Sequence, residues 1–231
     1  DLCGNARFGG MDGADSEDAV SEAVSGRAAY LAGQICNCAK RFIIHRSRKD
    51  EFVEKLTAAL KKLKMGDPMD PETQVGSLIS EKAAKEVENQ VNRTIAQGAR
   101  LILGGRRSGA FYEPTVLDDV TVDMDVAHDM EIFGPVFPVM VFDTFEEAVE
   151  IGNATEYGLG AGIMTKDMKL AFRFARQIQA GSVIINGQSG YRSLLMPFGG
   201  YKKSGYGREG LTATLQAVTQ TKSIVFKNML D

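Results

Sequence analysis

The chain has 231 residues, 44% of them apolar and 25% charged, with a formal net charge of −3. That length supports one large or two modest domains with a sizeable core. The balanced charge, with no Lys/Arg block interleaved with aromatics, excludes an electrostatic case for nucleic acid, and no apolar run approaches the roughly 18 residues of a membrane span.

The opening DLCGNARFGG lacks the basic-then-apolar order of a secretion signal. Asp12, Asp15 and Ser16 precede EDAVSEAVSGRAAYLAG, a predicted helix with an acidic start. RFIIH (41–45) reads as a short buried strand. In KDEFVEKLTAALKKLK, the residues Phe52, Val53, Leu56, Ala59, Leu60 and Leu63 form one apolar stripe, which predicts an amphipathic helix. GDPMDPETQVG is a loop punctuated by Pro and Gly. Ser80 caps a second predicted helix, EKAAKEVENQVNRTIAQG, and ARLILGG is strand-like.

The second half repeats the rhythm. FPVMVFDT, LGAGIMT and SVIING read as strands, FEEAVEIGNATEYG and KDMKLAFRFARQIQAG as helices closed by glycine. Alternation of this kind predicts right-handed βαβ units, hence an α/β fold with a mostly parallel sheet flanked by helices. The tail TQTKSIVFKNMLD is a lone strand pattern, suited to extending the sheet of a neighbouring subunit.

The motifs narrow the chemistry. Three cysteines form an odd set that argues against a disulfide framework and for a reducing compartment, so a cytoplasmic location is expected. Cys36-x-Cys38 is too tight for a zinc knuckle, and no second C-x-x-C or H-x-x-x-H exists, so no metal site is expected. The acidic run DMDVAHDME fits no EF-hand register and reads as a solvated helix start. Gly205, Gly207 and Gly210 satisfy G-x-G-x-x-G, but no strand precedes them; a glycine-rich loop leading into the helix LTATLQAV is the better reading. No G-x-S-x-G elbow accompanies His45 and His128, so a Ser/His/Asp triad has no support. Cysteine nucleophilicity is left. A free thiol is mostly protonated at pH 7 and needs N–H donors or charge for activation. Cys36, after Gly33-Gln34 and before a predicted helix start at 37–40, would meet both. Taken alone, the spacing still leaves inert burial of both thiols as the leading alternative.

GQIC at 33–36, EIFGPV at 131–136 and PFGGYKKSGYGREG at 197–210 resemble, in order and separation, three signature blocks of the NAD(P)-dependent aldehyde dehydrogenases. ARLILGG, EPTVL and YGLGAGI are also similar to that family, and GQICNCAKR resembles its branch acting on lactaldehyde, glyceraldehyde and succinate semialdehyde. The resemblance covers essentially the whole chain. It implies that Cys36 is the nucleophile and Cys38 a neighbour, with thiohemiacetal and thioester intermediates on the way to a carboxylic acid. It further implies NAD or NADP as cofactor, with Glu131 on the nicotinamide ribose and Phe133 packing near it. Phe198 would be an aromatic wall of the substrate tunnel, and Asn186 would lie near a small-molecule aldehyde substrate.

Departures accompany the match. Asp1 stands where the family has its glutamate general base, Cys3 where it has a glycine and Arg7 where it has a proline. An aspartate is one methylene shorter, so Asp1 is a candidate base whose reach is in question. The family's amino-terminal half, with most of the cofactor-binding domain, has no counterpart in the chain. Residues 1–217 are therefore expected to form the catalytic domain, and 218–231 an oligomerisation strand or tail implying a homo-oligomer, dimer or tetramer. Two alternatives stay open: a non-catalytic remnant or assembly subunit with an impaired site, and a thioester-handling acyltransferase or esterase that uses Cys36 without nicotinamide. Glu131 and Phe133 favour the dehydrogenase, because cofactor contacts serve neither alternative.

Overall fold

Runs such as RFIIH and VFPVMVF carry apolar side chains on both faces, a pattern that suits parallel strands covered by helices above and below. The computed structural model describes residues 4–228 and places both runs inside such a sheet. Along the chain come β1 (Arg7–Gly10), α1 (Ser16–Arg27), β2 (Arg41–His45), α2 (Arg46–Leu60), α3 (Glu81–Ala96) and β3 (Arg100–Leu103). The short β4 (Arg107–Ser108) and β5 (Phe111–Tyr112) lead into β6 (Thr115–Asp118), β7 (Val136–Phe142) and α4 (Phe145–Asn153). Then follow β8 (Tyr157–Gly158), β9 (Gly160–Met164), α5 (Met168–Gln177), β10 (Ser182–Ile185), β11 (Tyr201–Lys202) and α6 (Leu211–Val218). The main sheet has the order β10-β9-β1-β2-β7-β6-β3, parallel throughout except for the bulged antiparallel edge β3. This is the α/β architecture expected from the alternation of segments. Among the described residues, no helix is long and apolar enough to cross a membrane.

Local signals set most boundaries. Asp15 caps α1 through Glu17 N at 2.9 Å, Ser80 caps α3 through Ala83 N at 3.1 Å, and Thr144 caps α4 through Glu147 N at 3.2 Å. The core between sheet and helices is built on aromatics: Phe42 lies 5.7 Å from Phe8 and 5.1 Å from Phe137, centroid to centroid.

Three local expectations need correction, and one strand carries no pattern of its own. β1 is hidden in the sequence, because RFGG offers one apolar side chain and two glycines, yet it lies inside the sheet between β9 and β2. A Cβ at Gly10 would stand only 3.0 Å from Ile44 Cδ1, so glycine here permits close strand packing. Residues 37–40 do not start a helix. The N–H groups of Lys40 and Arg41 both donate to Ala6 O, at 2.8 and 3.1 Å, and draw the chain into the β1–β2 ladder. α1 stops at Arg27 rather than reaching Gly33, because Leu31, Ala32 and Gly33 take left-handed φ values of 49°, 50° and 75°. α4 ends at Asn153, short of Gly158, and cations take its last carbonyls: Arg41 Nη1 donates to Ile151 O (2.9 Å), Arg7 Nε to Gly152 O (2.7 Å) and Lys202 Nζ to Asn153 O (2.8 Å).

The glycine-rich loop does lead into α6, as read from the sequence. Beyond α6, residues 219–228 pair with no strand of the described chain, and Ile224, Val225 and Phe226 are exposed.

Gly33 sits at the end of the left-handed run, and a Cβ there would approach Gly134 O to 2.3 Å. Gly33→Ala combines a left-handed penalty with overpacking, together about 2–4 kcal/mol. For a chain of this size the melting temperature should fall by roughly 5–15 °C. An unchanged melting temperature would show that this close approach is not required.

Candidate active site

All five central strands are parallel, so the loops that enter them share one edge of the sheet. Cys36 precedes β2, Gly4 precedes β1, Gly134 precedes β7 and Leu159 precedes β9. The segments meet there: a Cβ on Gly4 would lie 3.0 Å from Cys36 O and 2.8 Å from Leu159 Cβ. Ser189 Oγ, from the segment after β10, donates to Asn37 O at 2.7 Å.

The two thiols of the C-x-C segment have different surroundings. Cys36 lies in a turn, partly exposed. Cys38 is 1% exposed and turned inward, where Arg27 Nη1 donates to its Sγ at 3.0 Å. Arg27 is itself fully buried, and donates through Nε to Val136 O (3.1 Å) and through Nη2 to Ile132 O (2.7 Å). One guanidinium thus ties the end of α1 and the Cys38 thiol to the EIFGPV block. Gln34 fixes the other flank, accepting from Ile79 N at 2.8 Å and donating to Leu31 O at 3.0 Å.

Glu131 and Phe133 reach the same edge through Lys40. The Glu131 side chain is 10% exposed; its Oε1 accepts from Gly4 N at 3.2 Å and forms an ion pair with Lys40 Nζ. Lys40 Nζ also donates to Gly4 O and Cys36 O, both at 2.7 Å, and stands 4.5 Å from the centroid of the half-exposed Phe133 ring. Burial lowers the Lys40 pKa from its ordinary value, an effect that its interactions with Cys38 and with the Glu131 carboxylate oppose. Among the described residues, the donors that reach Glu131 do so at Oε1.

Phe198 also lies on this edge. It is buried, pairs with Glu209 through both main-chain groups (2.8 and 2.6 Å) and is covered by the Arg192 guanidinium at 4.1 Å from its centroid. The loop carrying it presses on Gly181, just ahead of β10. Asn186 does not join the group. Its N–H donates to Ile163 O at the carboxyl end of β10, and its side chain accepts from Thr165 N at 2.9 Å. The five residues of β9, Gly160–Met164, separate the two levels of the sheet, about 16 Å at ~3.3 Å per residue. Asn186 instead lines a cavity of about 320 Å³ with Asp15, Asp18, Glu22 and Lys166. Asp1 and Cys3 lie outside the described residues. The histidines stand apart from Cys36: His45 pairs with Ser47 at 2.8 Å and His128 with Ala154 O at 2.8 Å.

Sequence reasoning missed Lys40 and Arg27. Both are cations inside segments read as helical, where a charged side chain defaults to solvent. The signal that could have found Lys40 is its place directly before the buried strand RFIIH, where an exposed lysine has little room.

The aldehyde dehydrogenase family model matches residues 1–224. The chain is 46% identical over 213 residues to a succinate-semialdehyde dehydrogenase [NADP(+)] of Mycobacterium tuberculosis, covering 90% of the chain and 46% of the relative. It is 40% identical over 212 residues to a 3-sulfolactaldehyde dehydrogenase of Priestia aryabhattai, covering 92% of the chain and 44% of the relative. Among solved structures, aldehyde dehydrogenase 21 of Physcomitrella patens, in complex with the reaction product succinate, matches with a TM-score of 0.92 at 38% identity. That match covers 99% of the chain and 47% of the neighbour. The chain thus spans about half the length of these relatives.

The exposure contrast has a direct chemical readout. Under native conditions iodoacetamide should alkylate Cys36 and spare Cys38, as peptide mapping would report, and unfolding should abolish the difference. Equal labelling of the two in the folded protein would exclude the separation of roles drawn above.

Proposed function

The chain belongs to the aldehyde dehydrogenase family, and we propose that it is the catalytic portion of an NAD(P)-dependent enzyme that oxidises an aldehyde to a carboxylic acid through Cys36. The observation that carries this reading is the single cluster in which Cys36, Glu131 and Phe133 are joined by Lys40 on one sheet edge. The residues present suit a dinucleotide's ribose end: a largely buried carboxylate beside a half-exposed aromatic ring. Bound there, the nicotinamide would supply the hydride acceptor.

The chain's own part is nucleophilic catalysis. Cys36 adds as thiolate to the aldehyde carbon, and the main-chain N–H groups of the Cys36 turn are the donors we assign to the developing oxyanion. Once hydride has left the former aldehyde carbon, the acyl group remains on Cys36 as a thioester. Water then replaces the sulfur, releasing the acid and regenerating the thiol; Asp1 is the candidate base for that step. Glu131 and Phe133 orient the cofactor, and Phe198 walls the approach to Cys36. Exposed apolar side chains on α6 and the tail, Leu211, Leu215, Val218, Ile224, Val225 and Phe226, support contact with a second copy of the chain. The balance of cysteine chemistry supports a cytoplasmic setting.

The named relatives act on succinate semialdehyde and sulfolactaldehyde, aldehydes that carry an anionic group. Arg192, stacked on Phe198 and half-exposed, supports the same substrate class here.

Three variants of the full-length protein test these assignments. Cys36→Ser should abolish oxidation, a loss of at least about 10³-fold. Glu131→Gln should raise the cofactor KM about tenfold or more while kcat falls less. If Cys36→Ser stays active, the nucleophile assignment is wrong; if Glu131→Gln has wild-type cofactor kinetics, the ribose assignment is wrong. Arg192→Gln should raise KM for succinate semialdehyde roughly tenfold and leave an uncharged aldehyde of similar size within about twofold. A parallel change for both substrates would remove Arg192 from anion recognition.

A further inference from the structure

The Lys40 ammonium has three N–H donors, and the structure supplies three acceptors: Gly4 O, Cys36 O and Glu131 Oε1. Its side chain is 1% exposed, so this is not a surface ion pair that solvent exchanges freely. The residues it joins lie 91 positions apart in the case of Glu131, and the Phe133 ring covers the same nitrogen. An ammonium that only balanced Glu131 would need neither carbonyl. One that only braced the turn would need no carboxylate.

We infer that Lys40 is a positioning residue that locks the main chain of Cys36 to the Glu131 carboxylate, so that thiol presentation and cofactor occupancy depend on one another. The inference rests on the reading of Cys36 as nucleophile and Glu131 as ribose ligand. The coupling is geometric. A carbonyl held at 2.7 Å fixes the peptide plane that follows Cys36, and with it the direction in which the Cα–Cβ bond points. Any ligand that draws on Glu131 pulls on the same ammonium, and the peptide plane responds. A purely structural lysine would change stability and leave cofactor and thiol independent.

The test compares full-length wild type with Lys40→Met and Lys40→Gln for the rate of Cys36 alkylation by iodoacetamide, with and without saturating NAD(P)⁺. In the wild type, cofactor should change that rate about fivefold or more, the size of a modest allosteric coupling. Both variants should reduce the change to less than about twofold with Cys38 still unlabelled, which reports that the loop remains folded. Glu131→Gln, which leaves both carbonyl contacts of Lys40 in place, should also remove the cofactor response and provides the measurement if the Lys40 variants do not fold. A cofactor response that persists in these variants, or is missing from the wild type, overturns the inference. Failure of the underlying reading looks different: Cys36 would not be alkylated in preference to Cys38, or Glu131→Gln would bind cofactor normally.

Discussion

Four cations, Arg7, Arg27, Lys40 and Arg41, are buried at 2% exposure or less, and main-chain carbonyls answer most of their N–H groups. Removing an ion from water costs several kcal/mol even after relaxation, so each survives inside only because charge-assisted hydrogen bonds of about 1.5–3 kcal/mol apiece offset the loss. Arg41 makes bonds to Asn5, Ala127, Ile151 and Gly152, and Arg7 to Gly152 and Gln179. Burial lowers their pKa to about 9 and about 10, which leaves both charged at neutral pH. Because the acceptors belong to loops far apart in sequence, satisfying these cations forces the loops together. Arg41 and Arg7 gather the end of α4 and the segment before EIFGPV; Arg27 and Lys40 gather EIFGPV itself onto the cysteine turn.

The constraint explains where the candidate site lies. Ligands of open α/β sheets bind beyond the carboxyl ends of the strands, at the point where the strand order reverses. Here the order reverses beside β1, and its carboxyl side holds an acidic cavity with Asn186. The cysteine is at the opposite, amino-terminal edge. Left-handed Leu31, Ala32 and Gly33 turn the chain into position there, and glycines at 4 and 33 let the backbone pass close to the carbonyls of Cys36 and Gly134.

The legible part of the fold was the part written in apolar periodicity. The stripe of α2, the Ser80 cap of α3 and the unbroken runs of β2 and β7 each name their own element. β1 escaped because its place depends on neighbours: with Gly9 and Gly10 it has little propensity of its own, and the ladders from β2 and β9 make it a strand. The turn at 37–40 escaped for the same reason, since Ala6 O, distant in sequence, captures its N–H groups. Of the candidate site residues, Cys36, Glu131, Phe133 and Phe198 were picked out through block resemblance, and the structure puts all four on one edge. The same resemblance drew in Asn186, which the sheet carries away, because a motif records order along the chain and not which end of a strand a residue occupies. Lys40 and Arg27 were missed because a buried cation is recognised by its acceptors, and carbonyls leave no mark in a sequence.

The C-x-C segment shows how this arrangement turns two chemically equal thiols into unequal ones. Successive alternate residues in a turn need not share a face, and here the difference is enforced from both sides. Arg27 donates to the Cys38 sulfur from within, while Gly33 O and Ile35 O stand 3.5 and 3.1 Å from it, so this thiol is enclosed by the loop it belongs to. A sulfur so enclosed has no path to a substrate carbon, whatever its protonation state. Cys36 is partly exposed, and Lys40 takes its carbonyl and not its thiol. Holding a residue by its carbonyl orients the main chain and leaves its side chain unengaged. The two buried cations beside the segment therefore hold different atoms: Arg27 donates to the sulfur of Cys38, and Lys40 to the carbonyl of Cys36.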